Sequence, residues 1–295
     1  SFVFSTADSK LQGVENVQLG SGASVTLTGQ QEGFNVIGGG GAETIITSAG
    51  DDTINAGLGD DFIQAAAGAD VINGGAGSDT VSYADVTGAT SHGQVGLMGV
   101  GVNLSEQNID DSRLGAELGL APGSIVTGND DPNSILASGT AQYLIDAVIS
   151  NKGPEYDIDT LLSVEGIVGS ELRDYIVLGA DSAAVDAGAG QDVIFSGTAD
   201  DTILGGADSD RINIASGAHH GPNENINGGD GIDSIFFNSI LGETLVLSSN
   251  VINIERAFIA SPALSFIGTT NESIDASALT AGIQLFGNEG DNTLT

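Results

Sequence analysis

The chain has 295 residues, among them 45 Gly, 40 Asp or Glu against 6 Lys or Arg, no Cys and no Trp, for a formal net charge of -34. The six basic residues (Lys10, Arg113, Lys152, Arg173, Arg211, Arg256) are scattered, which excludes the cationic patch that nucleic acid requires and disfavours anionic lipid and acidic polysaccharide. No apolar run is long enough to span a bilayer, no disulfide holds the fold, and 40% apolar residues exclude simple disorder.

Residues 1–37 read as β-solenoid coils without periodic acids, carrying a Val-Glu element at Glu15 in "LQGVENVQLG". From Gly38 to about residue 85 the chain divides into nines: GGGGAETII, TSAGDDTIN, AGLGDDFIQ, AAAGADVIN and GGAGSDTVS. Position four is always glycine (Gly41, Gly50, Gly59, Gly68, Gly77). Position six is Glu43, Asp52, Asp61, Asp70 and Asp79, and position eight is Ile45, Ile54, Ile63, Ile72 and Val81. Each unit joins a glycine turn, where positive φ is cheap, to a short apolar-centred strand, and such a repeat predicts a parallel β-solenoid.

Two units per coil would stack alternate units about 4.8 Å apart. Glu43, Asp61 and Asp79 then form one ladder, and Asp52 and Asp70 another. Carboxylates about 5 Å apart repel by roughly 3 kcal/mol at an effective dielectric near 20. Several such rungs rival the stability of a whole domain, so a cation must enter. Carboxylates with turn carbonyls, and no Cys or His at the repeating positions, suit a hard divalent ion, and an irregular oxygen cage favours Ca²⁺ over Mg²⁺. These units resemble the G-G-x-G-x-D-x-U-x repeat of the RTX, or hemolysin-type calcium-binding, proteins. "GGAGSDTVS" matches it at every fixed position. The resemblance implies a parallel β-roll with several Ca²⁺ ions between turns, held by position-six aspartates and backbone carbonyls. Glu43 departs from the Asp pattern, which predicts a weaker first rung.

Residues 86–160 interrupt the pattern. "GVNLS" (101–105) is strand-like, "GNDDPN" places Asp130 and Asp131 in a turn, and "SGTAQYLIDAVISNKGP" predicts one amphipathic helix from about 140 to 151. A second, degenerate tract lies within 161–236. Its position-six residues are Asp174, Ala183, Asp192, Asp201 and Asp210, with one side of the stack broken at Ala183. Continuing the count puts His219 in position six and predicts that the array ends there, before one more unit at "GGDGIDSIF" with Asp233. Residues 237–295 read as non-calcium strands, including "TLVLSSN", leading into a truncated third tract, "GNEGDNTLT", in which Asn292 replaces Asp. A Val/Ile-Glu element recurs at Glu15, Glu165 and Glu255. These glutamates cap a neighbouring turn, bind an ion or, most simply, stand as solvated acids on a strand's outer face.

His92, His219 and His220 form no H-E-x-x-H arrangement, and G-x-S-x-G is absent, so no enzyme centre is expected. The start lacks a classical signal and the end falls inside a unit, which reads as a piece of a larger secreted protein. By resemblance, such chains leave Gram-negative cells by type I secretion and fold outside, where Ca²⁺ is abundant. The reading favoured is an extracellular structural protein of a surface layer or filament, whose partners are calcium and either further copies or other cell-surface components. Alternatives are a calcium-stiffened adhesin stalk, or the secretion and folding module of an exoenzyme or toxin.

Overall fold

The computed structural model describes residues 2–3, 13–30, 32–47, 50–64, 70–84, 100–103, 135–139, 158–171, 173–239, 241–260 and 269–295. Its strands are short because each repeat supplies little more than one apolar residue between two outward neighbours. Thr44–Ile46 and Phe62–Gln64, for example, bury only their central isoleucines fully. Every pairing among the described strands is parallel, and within the periodic tracts it joins residues of successive coils: Ile45 lies beside Ile63 and Ile63 beside Val81, while Ile54 lies beside Ile72. Two units therefore make one coil, and the chain is an all-β parallel solenoid with two long facing sheets.

Among the described residues one sheet has 10 strands, from Phe2–Val3 to Val251–Ile252, and the other has 13, from Asn16–Gln18 to Gln284–Phe286. Position-eight side chains from both sheets fill the space between them. Ile45, Ile63, Val81, Ile167, Val185, Ile203 and Ile226 line one wall, and Val36, Ile54, Ile72, Ile176, Ile194, Ile212 and Ile235 the other, all buried. Each such side chain contributes about 1.5–3 kcal/mol on burial. The core thus grows by one rung per coil and never thickens, which is why few aromatics suffice; Tyr83 and Phe237 are among the larger residues it encloses.

The interruption between the two tracts is bridged in the first sheet, where Thr80–Ser82 pairs directly with Gly166–Val168. In the second sheet, strands Ile158–Leu162, Ile135–Gly139 and Val100–Asn103 stand between Val71–Ala76 and Tyr175–Val177. The expected strand near residues 101–105 is present in part. The helix expected from about 140 to 151, the Asp130–Asp131 turn and His92 lie outside the described residues.

Turn glycines have a specific cause. Gly75 and Gly77, positions two and four of their unit, adopt φ of 107° and 147°, and a Cβ on either would strike the carbonyl oxygen of Gly57 or Gly59 in the coil before. Both the backbone conformation and the close stacking of turns exclude a side chain there.

The nine-residue count fails after Ile214. Asp192 and Asp210 are 18 residues apart across one coil, but Asp210 and Asp233 are 23 apart, so this coil contains five extra residues. They are taken up by a loop with a 3-10 turn, Gly217–His219, whose start is capped by the Ser216 hydroxyl. His219 therefore does not occupy position six. Because Asn225 pairs with Thr202, Glu224 stands where Asp201 stands one coil earlier, and the array continues.

Candidate metal centre

All ten position-six acids singled out by the sequence are at most 2% exposed: Glu43, Asp52, Asp61, Asp70, Asp79, Asp174, Asp192, Asp201, Asp210 and Asp233. The solenoid places each at the mouth of a strand, with the strand's first amide paired to the neighbouring coil. The carboxylates are used in one recurring way. Oδ1 of each aspartate accepts the position-six amide of the coil before: Phe34 N donates to Asp52 (2.7 Å), Glu43 N to Asp61 (2.7 Å), Asp52 N to Asp70 (2.8 Å) and Asp61 N to Asp79 (2.9 Å). In the second tract Asp174 N donates to Asp192 (2.7 Å), Ala183 N to Asp201 (2.9 Å), Asp192 N to Asp210 (2.9 Å) and Asp210 N to Asp233 (2.8 Å). Both ladders anticipated in the first tract are present in this register, and Ala183 does interrupt one ladder of the second.

The remaining oxygen carries the chemistry. Among the described residues, Oδ2 of Asp79, Asp192, Asp210 and Asp233 is buried with no hydrogen-bond partner. At Asp79 and Asp233 it looks into its own turn, where a Cβ on position-one Gly74 or Gly228 would come within 2.6 Å of it. A buried acceptor left unsatisfied costs about 1–3 kcal/mol, and more when charged. Burial accordingly raises the carboxyl pKa to about 6 at Asp52, about 7 at Asp210 and about 9 at Asp192, against the pull of the amide hydrogen bonds. Neighbouring rungs add to the rise: Asp174 and Asp210 at Asp192, and Asp233 at Asp210. A divalent cation between turns would satisfy the second oxygen and hold these groups ionised. The donor set of carboxylates and turn carbonyls, without sulfur, fits Ca²⁺.

Three positions differ, Asp201 among them, since its Oδ2 accepts from Gly197 N of its own turn (3.2 Å). Asp174 is held inside its own turn by Ser170, whose hydroxyl donates to Oδ1 (2.7 Å) and whose amide donates to Oδ2 (2.6 Å). Asn292 needs no cation: its Nδ2 donates to Thr270 O (3.1 Å) and Glu272 O (3.0 Å), and its Oδ1 accepts from Asn288 N (2.8 Å). An amide there donates hydrogens to carbonyl oxygens that would otherwise be offered to a metal.

Sequence reasoning undervalued several glutamates. Glu165 and Glu255 are themselves position-six residues of the next coils, accepting from Asp79 N (3.0 Å) and Asp233 N (2.8 Å), so they cap the ladders and are not merely solvated. Glu15 is exposed, as the simplest reading had it. Glu43 follows the aspartates by accepting from Gly22 N (2.5 Å). Glu224 and Glu272 are fully buried and were missed. One signal for Glu224 was present in the sequence: "NINGG" at 225–229 aligns with "TILGG" at 202–206, which moves position six from His219 to the residue before Asn225.

Curated proteins provide no match to this chain. A family model described as the RTX calcium-binding nonapeptide repeat matches residues 37–69, 57–84 and 185–218, with 4 copies in the chain. All three matched stretches lie on the carboxylate ladders described above, and the chain therefore carries RTX calcium-binding nonapeptide repeats in each of its two periodic tracts.

Proposed function

We propose that this chain is an extracellular structural protein of a Gram-negative-type bacterium, folded by several Ca²⁺ ions after secretion and built into a surface layer or filament. The observation that carries the calcium part is the buried, unpartnered second oxygen repeated at Asp79, Asp192, Asp210 and Asp233. The ligand set is Glu43, Asp52, Asp61, Asp70, Asp79, Asp192, Asp201, Asp210 and Asp233, with Asp174 as a further member once Ser170 releases it. At low calcium, ladder repulsion and desolvation oppose the folded state, whereas calcium binding to the fold shifts the balance by mass action. No turnover is assigned to this fold, whose repeats do structural work. Assembly is favoured by repeat tracts that are interrupted and decorated, and by a surface acidic enough for calcium to bridge between copies.

Sedimentation velocity during Ca²⁺ addition to a calcium-free sample tests this reading. Compaction followed by growth into large species is expected. Compaction with a constant monomer mass would transfer the role to an adhesin stalk or a secretion and folding module, and no compaction at millimolar Ca²⁺ would remove the calcium reading itself.

A further inference from the structure

The basic residues are scattered in the sequence, but coiling brings two of them onto one face. In the second sheet Arg211, Ser234 and Arg256 stand beside one another on successive coils. Two residues further along the same strands, Phe236, Phe258 and Phe286 form a parallel row that begins at Asn213. Side chains alternate across a strand, and Ile212, Ile235 and Ala257, which lie between the two rows, fill the core. Both rows therefore belong to the outer face. Neither contains an acid, in a chain that has 40 of them.

Side chains knit the rows together. Arg211 lays its guanidinium 3.6 Å from the centre of the Phe236 ring and donates from Nε to Asn213 Oδ1 (3.0 Å). Phe236 stacks on Phe258 with ring centres 4.8 Å apart, and Phe258 on Phe286 at 4.5 Å. Stacked rings turn their edges to either side, and the edge is the electropositive part of an aromatic ring. The column emerges along its length: Phe236 is buried, Phe258 half-buried and Phe286 41% exposed. Arg256, on the same strand as Phe258, is half-buried, and among the described residues no carboxylate pairs with its guanidinium. An arginine without a counter-charge on a chain of net charge -34 is complementary to an anionic partner.

We infer that this arginine and phenylalanine face receives the acidic turns of a second copy of the chain. Turns elsewhere expose acids, Asp60, Asp181 and Asp208 among them, so copies repel one another except where such a turn meets this face. The contact joins two different surfaces, and a heterologous contact that does not close extends into a filament. The inference rests on the assembly part of the proposed function and gives it a contact that calcium does not bridge.

The test is sedimentation velocity of the whole chain at saturating Ca²⁺, comparing wild type with Arg256→Gln and Phe286→Ser. Both variants should compact at the wild-type calcium concentration but need roughly tenfold more protein to grow into large species. Added salt should weaken wild-type growth, because exposed charges are screened. Growth of both variants at the wild-type protein concentration overturns the inference and leaves assembly standing. If, in addition, wild type binds polygalacturonate and Arg256→Gln does not, the face belongs to an anionic glycan instead. Should Arg256→Gln fail to compact, Phe286→Ser, at an exposed position, decides alone. A wild-type chain that compacts and stays monomeric defeats the assembly reading itself, and this inference with it.

Discussion

Asp192 shows how a single side chain makes this fold conditional. An aspartate in an unfolded chain ionises near pH 4, whereas burial, with repulsion from Asp174 and Asp210, holds the Asp192 proton to about 9, and Asp210 follows at about 7. Between those limits the metal-free fold binds more protons than the unfolded chain does. Its stability is therefore greatest below about pH 4 and falls as pH rises through these raised values. With calcium present the sign reverses, because protons then compete with the metal for the same oxygens. Urea midpoints followed by circular dichroism should decrease from pH 5 to pH 8 in calcium-free samples and increase over the same interval at saturating Ca²⁺. The same slope in both conditions would sink this account. A second residue-scale prediction concerns the turns: Gly75→Ala places a Cβ against Gly57 O at a φ of 107° and should cost about 2 kcal/mol or more. Gly40→Ala, which meets nothing within 4 Å, should stay within about 0.5 kcal/mol on the same urea assay.

At the scale of the coil, Asn292 and Asp233 occupy equivalent places and solve the same problem differently. Asp233 leaves an oxygen for a cation, whereas Asn292 spans to Thr270 O and Glu272 O with its own amide hydrogens. Asn292→Asp should therefore destabilise the last coil by roughly 1–3 kcal/mol without calcium, and calcium should restore part of the loss. Hydrogen exchange of the amides in Ser273–Asp275 is the direct readout, and unchanged protection would count against the amide-for-cation argument. Regular coils were legible in the sequence because period nine fixes turn, acid and apolar residue together. Ile45 and Asp61 could be placed by counting alone. Counting fails where physics tolerates a longer turn: the rung at Glu224 depends only on the strand that follows, and a loop can absorb five residues without disturbing it. Glu165 and Glu255 were hard to read for another reason. Their role comes from an amide of the neighbouring coil, which for Glu165 is remote in sequence, Asp79 N being 86 residues away, and for Glu255 is Asp233 N, 22 residues away.

The whole molecule couples what the sequence separates. Thr80–Ser82 pairs with Gly166–Val168, and the Asp79 amide donates to Glu165, so the last rung of the first tract rests directly on the first coil of the second. In a solenoid, stability is the sum of each coil's own contribution and its contacts with neighbours, and a shared interface makes adjacent segments fold together. Calcium entering Asp61 and Asp79 should thus raise the affinity of the second tract, whose Asp201 stands two coils beyond Glu165 on the same side of the stack. Hydrogen exchange during a Ca²⁺ titration should show Thr53–Leu58 and Thr202–Ala207 gaining protection at one common concentration. In Asp79→Asn both segments should shift together to higher calcium, although only the first has lost a ligand. If Thr202–Ala207 kept its wild-type midpoint while Thr53–Leu58 moved, the two tracts would be independent beads on one chain. A shared shift would make the junction at Glu165 the element that turns two periodic tracts into one calcium-responsive rod.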